Sequence, residues 1–338
     1  MVSELSVYCT TYENDQICKR RGYAPAGGGP LASVETAGRG FVNATHRLRR
    51  RPPGFVNGPA PPRAPASAPH ASSAPQPGEM ETALCVANVD TATALRVLTQ
   101  RGLHPVGLNF ANAHHAGGGY LRGARAQEED LCRLMPTLYS ALKRLDYPLA
   151  EDQAHYLLCP DLLWVRLTTA RLTMARLTMP RLTMARLTMA VLAEEQAHYS
   201  HAWLARQPGT YRLLSVPVRV ALIAAAMPNL GAASGARRAE RELRPGSDAW
   251  RRTTEVRIRT VLDAALAHGH TSLVLGAFGC GAFGNPPADV AAAFARVARS
   301  AEFRGSFSLL AFAIVDPKAT DAGNLVTFRD VLRRELSA

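Results

Sequence analysis

Residues 109–133 read NFANAHHAGGGYLRGARAQEEDLCR. The stretch leaves an apolar run, Pro105 to Phe110, crosses a glycine-rich loop and enters a segment with helical character, 127 to 145; strand, loop and helix in that order are the unit of an α/β fold. Three consecutive glycines, Gly117, Gly118 and Gly119, remove every Cβ from the loop and permit positive φ. A ligand is therefore expected to approach the backbone there, with the loop amides facing an anion or a sugar hydroxyl. Gln127, Glu128 and Glu129 open the helix, where the dipole and free backbone donors favour carboxylates. Adjacent helical residues point about 100° apart, so the two acids cannot share one task. One is expected to orient and one to react, and two carboxylates so close push at least one pKa upward, as a general acid requires.

Outward from this stretch, apolar runs alternate with helical segments from about residue 80 onward. Strands are predicted at Leu84 to Asn88, Pro105 to Phe110, Tyr156 to Val165, Tyr211 to Ala225, Ser272 to Ala277 and Ser306 to Val315; helices at 91–102, 127–145, 253–268, 287–301 and 322–336. Asn88 and Asp90 stand where the first strand meets its helix, with capping as the expected role of Asp90 and adenine recognition as the alternative.

A second glycine-rich turn, GAFGCGAFGNPPADVAAAF at 276–294, leaves one of these strands and enters a helix. Asn285 is the expected N-cap and Pro286 the first helical residue. Such a turn presents backbone amides to a phosphate, so Gly279, Cys280, Gly281, Ala282, Phe283 and Gly284 are candidates to cradle a diphosphate. Gly279, Gly281 and Gly284 also spell GxGxxG, but only 54 residues follow Gly284, too few for the rest of a dinucleotide-binding domain. No His is fixed near Cys280 in sequence, which argues against a nucleophilic thiol. His114 and His115 read as structural or exposed.

GGG, seven residues, then QEE, with NFANA before it, resembles the signature of the microbial-type poly(ADP-ribose) glycohydrolases over roughly residues 83–165 and 211–316. Ala116 stands where members usually carry proline. The resemblance implies a macrodomain-like three-layer α/β/α fold with a central mixed sheet. It also implies that Glu129 is the acid/base, Glu128 holds the distal ribose hydroxyls, Asn112 binds the same ribose, the 279–284 loop holds the diphosphate, and Phe283 packs against the ligand. Pro228 and Asn229 resemble a further family element, to which no role is assigned. The reaction implied is hydrolysis of the ribose–ribose O-glycosidic bond with release of ADP-ribose, by general acid/base catalysis. Its substrate would be poly(ADP-ribose) or ADP-ribosylated proteins, and the chemistry calls for neither cofactor nor metal. An ADP-ribose reader without turnover would share both glycine loops but have little need of two acids; a hydrolase of mono-ADP-ribosyl conjugates would share the whole pocket.

The remaining sequence bounds the protein more loosely. Residues 51–78 hold nine of the 23 prolines with many Ala and Ser, so 51–79 is expected to be a disordered linker. The 1–50 segment ahead of it shows no strong period and ends in the basic run HRLRRR, which reads as a solvated tail. The main domain is expected over 80–338. Within it, 166–190 are five pentads of the type RLTMA, and LAEDQAHY at 149–156 returns as LAEEQAHY at 192–199; 166–206 is therefore expected to be an insertion on the domain edge.

The net charge of +12 is carried almost wholly by arginine, since Lys19, Lys143 and Lys318 are the three lysines. It favours anionic ligands, but aromatic residues are not interleaved with the arginines as single-strand binding requires, so direct nucleic-acid binding is not expected. Cys9, Cys18, Cys85, Cys132, Cys159 and Cys280 lack zinc-site spacing and read as reduced thiols. No secretory signal is visible, and Val216 to Met227, the longest apolar run, is short and contains Pro217 and Arg219. An intracellular, cytoplasmic monomer away from membranes is expected.

Overall fold

The structure, a computed structural model, describes residues 4–20, 22–24, 32–33, 46–48, 81–143, 147, 149–151, 155–159, 162–167, 188–190, 194–195, 197–231, 243–316 and 323–336. The expected linker at 51–79 lies outside the described residues, as do most of the pentads.

Seven strands form one mixed sheet: β1 (His46–Leu48), β2 (Ala83–Ala87), β3 (Val106–Phe110), β4 (Ala197–Arg206), β5 (Leu213–Ala225), β6 (Ser272–Leu275) and β7 (Leu309–Ala313), in the spatial order β1-β4-β5-β3-β6-β7-β2. From β5 to β2 neighbours run parallel; β4 is antiparallel to β5, and β1 to β4. The helices are α1 (Glu4–Arg20), α2 (Thr91–Gln100), α3 (Gln127–Leu134), α4 (Leu138–Leu142), α5 (Asp248–Ala267), α6 (Pro287–Ala298) and α7 (Asn324–Leu336).

Strands buried on both faces read as near-continuous apolar runs, and the alternation along them divides the core in two. On one face Val106, Leu108, Ala221, Ile223, Leu273, Leu275, Leu310 and Phe312 pack with Trp250, Ile258, Phe294 and Phe328 of α5, α6 and α7. On the other, Leu222, Ala224 and Val274 pack with Leu95, Leu131, Leu134 and Leu138 of α2, α3 and α4. The result is the three-layer α/β/α architecture with a mixed central sheet expected from the sequence.

Local chemistry explains the element ends. Asp90 caps α2, accepting from the Thr93 amide at 2.8 Å and the Thr93 hydroxyl at 2.7 Å. Ser247 caps α5 by accepting from the Trp250 amide, so this helix starts five residues before the predicted 253. The predicted helix over 127–145 is two helices, because Pro136 cannot continue the first. The predicted strand Tyr156 to Val165 is likewise two, His155–Cys159 and Leu162–Leu167, paired antiparallel in a small sheet with Thr188–Ala190; Pro160 falls between them, where a proline is excluded from a ladder interior.

Three differences from the sequence reading bear on function. Residues 197–206, assigned to the insertion, form β4 of the main sheet. The N-terminal segment, read as a tail, contains α1, whose Asn14 is only 1% exposed and contacts α3. Asn285, the expected N-cap, does not cap α6, which begins at Pro287 after Pro286 in the cap position. Its side chain is a buried strut instead, accepting from Trp250 Nε1 at 2.9 Å and donating to the carbonyls of Pro228 at 2.7 Å and Gly279 at 3.0 Å.

Candidate active site

The loops that leave the C-terminal ends of the parallel strands converge on one edge of the sheet, the place where open α/β sheets bind ligands. Two adjoining cavities lie there. One, of about 610 Å³, is lined by Asp90, Thr91, Arg125, Gln127, Asp130, Gly279, Gly281 and residues 313–315 among others. The second, of about 570 Å³, is lined by Asn112, His114, His115, Gly118, Gly119, Arg122, Glu128, Glu129, Met227 and Asn229. Phe110, Ala126, Ala282 and Phe283 line both, so the two halves share a waist at Phe283 and suit an elongated ligand.

At the second cavity the loop after β3 wraps the first turn of α3. The N-cap of α3 is Ala126, which offers no side-chain acceptor, and the loop amides are drawn to the helix acids. The Asn112 amide donates to Glu128 Oε2 at 2.8 Å, and the Gly119 amide donates to Glu129 Oε1 at 2.7 Å. Glu129 Oε2 is buried with no hydrogen-bond partner among the described residues.

The three glycines therefore act differently from the sequence expectation. The Gly118 amide donates to the His115 carbonyl at 3.0 Å, the Gly119 amide is held by Glu129, and the Gly117 amide favours the charged form of Glu128. These amides face the protein's own groups rather than a ligand. What demands glycine is the close approach of the carboxylates: a Cβ on Gly118 would stand 2.4 Å from Glu129 Oε1 and 3.2 Å from Glu128 Oε2. Gly117 and Gly118 also sit at φ +66 and +54, where a side chain is disfavoured.

Gln127 is a strut as well. Its Oε1 accepts from the Phe110 amide at 2.8 Å, and its Nε2 donates to Thr91 Oγ1 at 3.0 Å and to the Leu108 carbonyl at 2.7 Å. Those bonds tie the start of α3 to the end of β3. Asn112 Oδ1 accepts from the amides of His114 and His115 at 2.8 and 3.0 Å, which folds the loop back towards the acids.

Burial separates the two acids. Glu128 is 2% exposed, and desolvation, opposed by the Asn112 amide and reinforced by the charge of Glu129, pushes its carboxyl up to about 8. The raised pKa expected of the pair thus falls on Glu128. A carboxyl raised on folding stabilises the native state fully below its ordinary value near 4.5, and that stability is lost as pH rises through about 8. The Tm of the ligand-free protein is therefore expected to fall from about pH 5 to pH 8, and Glu128→Gln to flatten that fall. Parallel Tm profiles for the two proteins would refute the burial of this carboxyl.

In the second glycine loop, the amides of Cys280, Gly284 and Asn285 close turns onto Ala277, Gly281 and Gly279. Gly279, Gly281, Ala282 and Phe283 line the first cavity, whereas Cys280 and Gly284 line neither. Cys280 packs against the core, where burial pushes its thiol up to about 12, so it is no nucleophile. Asn88 also proves structural: it exchanges hydrogen bonds with the Asp316 backbone, both at 3.0 Å. The residues missed from the sequence are Asp130 and Arg133, which lie on α3 within the 109–133 stretch but were given no role there, and Asn14, Arg206 and Tyr211, which hold α3 from outside and lie in no motif.

Comparison with known proteins starts from a family model, "Microbial-type PARG, catalytic domain", which matches residues 32–160. A point-mutant poly(ADP-ribose) glycohydrolase from Deinococcus radiodurans in complex with ADP-ribose is 30% identical, covering 76% of this chain and 87% of its own at a TM-score of 0.56. The chain belongs to the microbial-type poly(ADP-ribose) glycohydrolases. Another solved member, from Thermomonospora curvata and bound to the inhibitor ADP-HPD, is 27% identical and covers 96% of this chain and 99% of that one at a TM-score of 0.65. No curated protein matches. The family model begins at residue 32 and the Thermomonospora glycohydrolase covers nearly the whole chain, so the likeness extends upstream of the 83–165 and 211–316 spans read from motifs. Among the described residues no helix is long and apolar enough to cross a membrane.

Proposed function

We propose that this protein is a poly(ADP-ribose) glycohydrolase that hydrolyses ribose–ribose O-glycosidic bonds and releases ADP-ribose, with Glu129 as general acid/base. The observation that carries the reading is a pair of acids on one cavity wall, each fixed at one oxygen by a loop amide, Glu128 by Asn112 at 2.8 Å and Glu129 by Gly119 at 2.7 Å, and each with its other oxygen buried and unpaired among the described residues; Glu129 is the less buried of the two, 7% exposed against 2%. A carboxylate oriented by one oxygen and free at the other is placed to exchange a proton with a bound substrate.

Cleavage of the glycosidic bond develops oxocarbenium character on the distal ribose. Glu129 protonates the departing oxygen of the neighbouring ribose as the C–O bond breaks, then takes a proton from the water that attacks the anomeric carbon. Glu128, its carboxyl raised to about 8, holds its proton near neutrality in the ligand-free protein and offers a donor and an acceptor to the ribose diol. Asn112, with Oδ1 engaged by the loop, presents its Nδ2 to the same sugar. The diphosphate lies against the amides of Gly281, Ala282 and Phe283, and the Phe283 ring at the waist fixes the distal ribose over Glu129. The adenosine occupies the larger cavity beside Asp90. The protein acts as a monomer on polymer or on ADP-ribosylated protein, and no step requires direct recognition of nucleic acid.

Incubating the protein with labelled poly(ADP-ribose) and, separately, with a mono-ADP-ribosylated protein tests the reading. Polymer loss with release of ADP-ribose is expected. ADP-ribose binding with no turnover would mark a reader, and release from the mono-modified protein alone would mark a hydrolase of conjugates.

A further inference from the structure

Helix α3 carries both acids on its first turn and ends only one turn later, so whatever fixes its last turn also fixes where the carboxylates point. The last carbonyls of an α-helix lack partners within it. Here two of them are met from α1: Asn14 Nδ2 donates to the carbonyls of Cys132 at 3.1 Å and Arg133 at 2.9 Å. Asn14 Oδ1 accepts from Arg206 Nε at 2.9 Å. Arg206, the last residue of β4 and 3% exposed, sends its other two nitrogens to the Tyr211 carbonyl at 2.8 Å and to Glu13 at 2.9 Å. Tyr211 then donates its hydroxyl to Asp130, next to Glu129 on the first turn of α3.

A single buried guanidinium thus joins two grips on the catalytic helix, one at each end. Burying an arginine is a poor way to gain stability, since desolvation offsets much of the Coulombic return; what its planar fork supplies is direction. Tyr211 is held at φ +54, the one non-glycine positive φ among the described residues. Strain of that kind persists only where surrounding bonds over-determine it.

We propose that Asn14, Arg206 and Tyr211 are positioning residues that hold α3, and with it Glu129, in the reactive orientation, which makes the N-terminal helix part of the working enzyme. The inference rests on the role given to Glu129 above.

The test uses Asn14→Leu, Arg206→Lys and Tyr211→Phe in the full chain, with kcat and KM on polymer measured well below each Tm and ADP-ribose Kd measured in parallel. A misplaced acid is expected to lower kcat by about tenfold to a hundredfold, with ADP-ribose Kd moving by less than about threefold. Arg206→Lys keeps the charge opposite Glu13 but not the fork, so it is expected to behave as Asn14→Leu does. Asn14→Leu combined with Tyr211→Phe is expected to lose less than the two single losses multiplied, because both act on one helix. Variants with a lowered Tm and wild-type kcat below it would overturn the proposal. Should Asn14→Leu not fold, Tyr211→Phe, which removes one hydroxyl, decides alone. Turnover surviving in Glu129→Gln sinks the functional reading instead; a Glu129-dependent enzyme indifferent to all three substitutions sinks only the positioning network.

Discussion

Glu129→Gln is expected to bind ADP-ribose as the parent protein does and to lose essentially all chain cleavage. The substitution keeps size and keeps an oxygen to accept the Gly119 amide, now made at 2.7 Å, so the loop and the first turn of α3 have no reason to move. That contact also orients the new amide, with its oxygen towards Gly119. What disappears is the group proposed to give a proton to the leaving oxygen and later take one from water. Loss of a positioned acid/base group costs about 10² to 10⁴ in rate, roughly 3 to 5 kcal/mol of barrier. The measurement is release of ADP-ribose from labelled polymer beside calorimetric titration with ADP-ribose. Undiminished turnover at unchanged affinity would remove Glu129 from the mechanism. Glu128→Gln differs in kind: Glu128 is assigned to hold the ribose, so its loss falls on affinity as well as on rate.

The sequence disclosed the parts of the fold that depend on periodicity and on single capping residues. β3, β5, β6 and β7 were visible as apolar runs because parallel strands are buried on both faces, and α2 was visible through Asp90. The QEE triplet could be placed at a helix start and its two acids separated by direction alone. Hydrogen-bond direction was not legible. Three glycines announce that backbone must come close to something, but not whether that something is a ligand or, as here, the protein's own carboxylates 2.4 and 3.2 Å from where a Cβ would stand. α1 was missed because its described contacts are made mainly by polar atoms, Asn14 to α3, Glu13 to Arg206 and Cys18 to the Pro136 carbonyl, with Ile17 the apolar residue it buries among the described core; contacts of that kind follow no apolar period that a sequence reading can detect. β4 was missed because LAEEQAHY at 192–199 resembles LAEDQAHY at 149–156, which drew the start of a sheet strand into the apparent duplication. Asn285 was misplaced for a related reason: Asn before proline fits an N-cap, and only tertiary structure supplies the Trp250 and Pro228 partners that take its side chain elsewhere.

Gly118→Ala is the substitution that puts the loop's purpose to the sharpest test. Two penalties meet at this position. At φ +54 an alanine is strained by about 1 to 2 kcal/mol whatever surrounds it. The new Cβ would also lie 2.4 Å from Glu129 Oε1, well inside contact distance. The atom it strikes is the end of a flexible side chain, so the protein can relieve the clash by moving the carboxylate rather than the backbone. The fold is then expected to survive with a modest loss of Tm, while Glu129 leaves its bond to Gly119 and with it the reactive geometry. A displacement of about 1 Å at a reacting group is enough to cost on the order of a hundredfold in kcat. Gly102→Ala separates the two effects: Gly102 sits at φ +80 at the far end of α2, with nothing within 4 Å of where its methyl would stand, so it carries the strain without the collision. Its Tm is expected to fall as that of Gly118→Ala does, with kcat unchanged. If both variants lose Tm and neither loses turnover, the contact between the glycine loop and Glu129 does not set the position from which the acid acts.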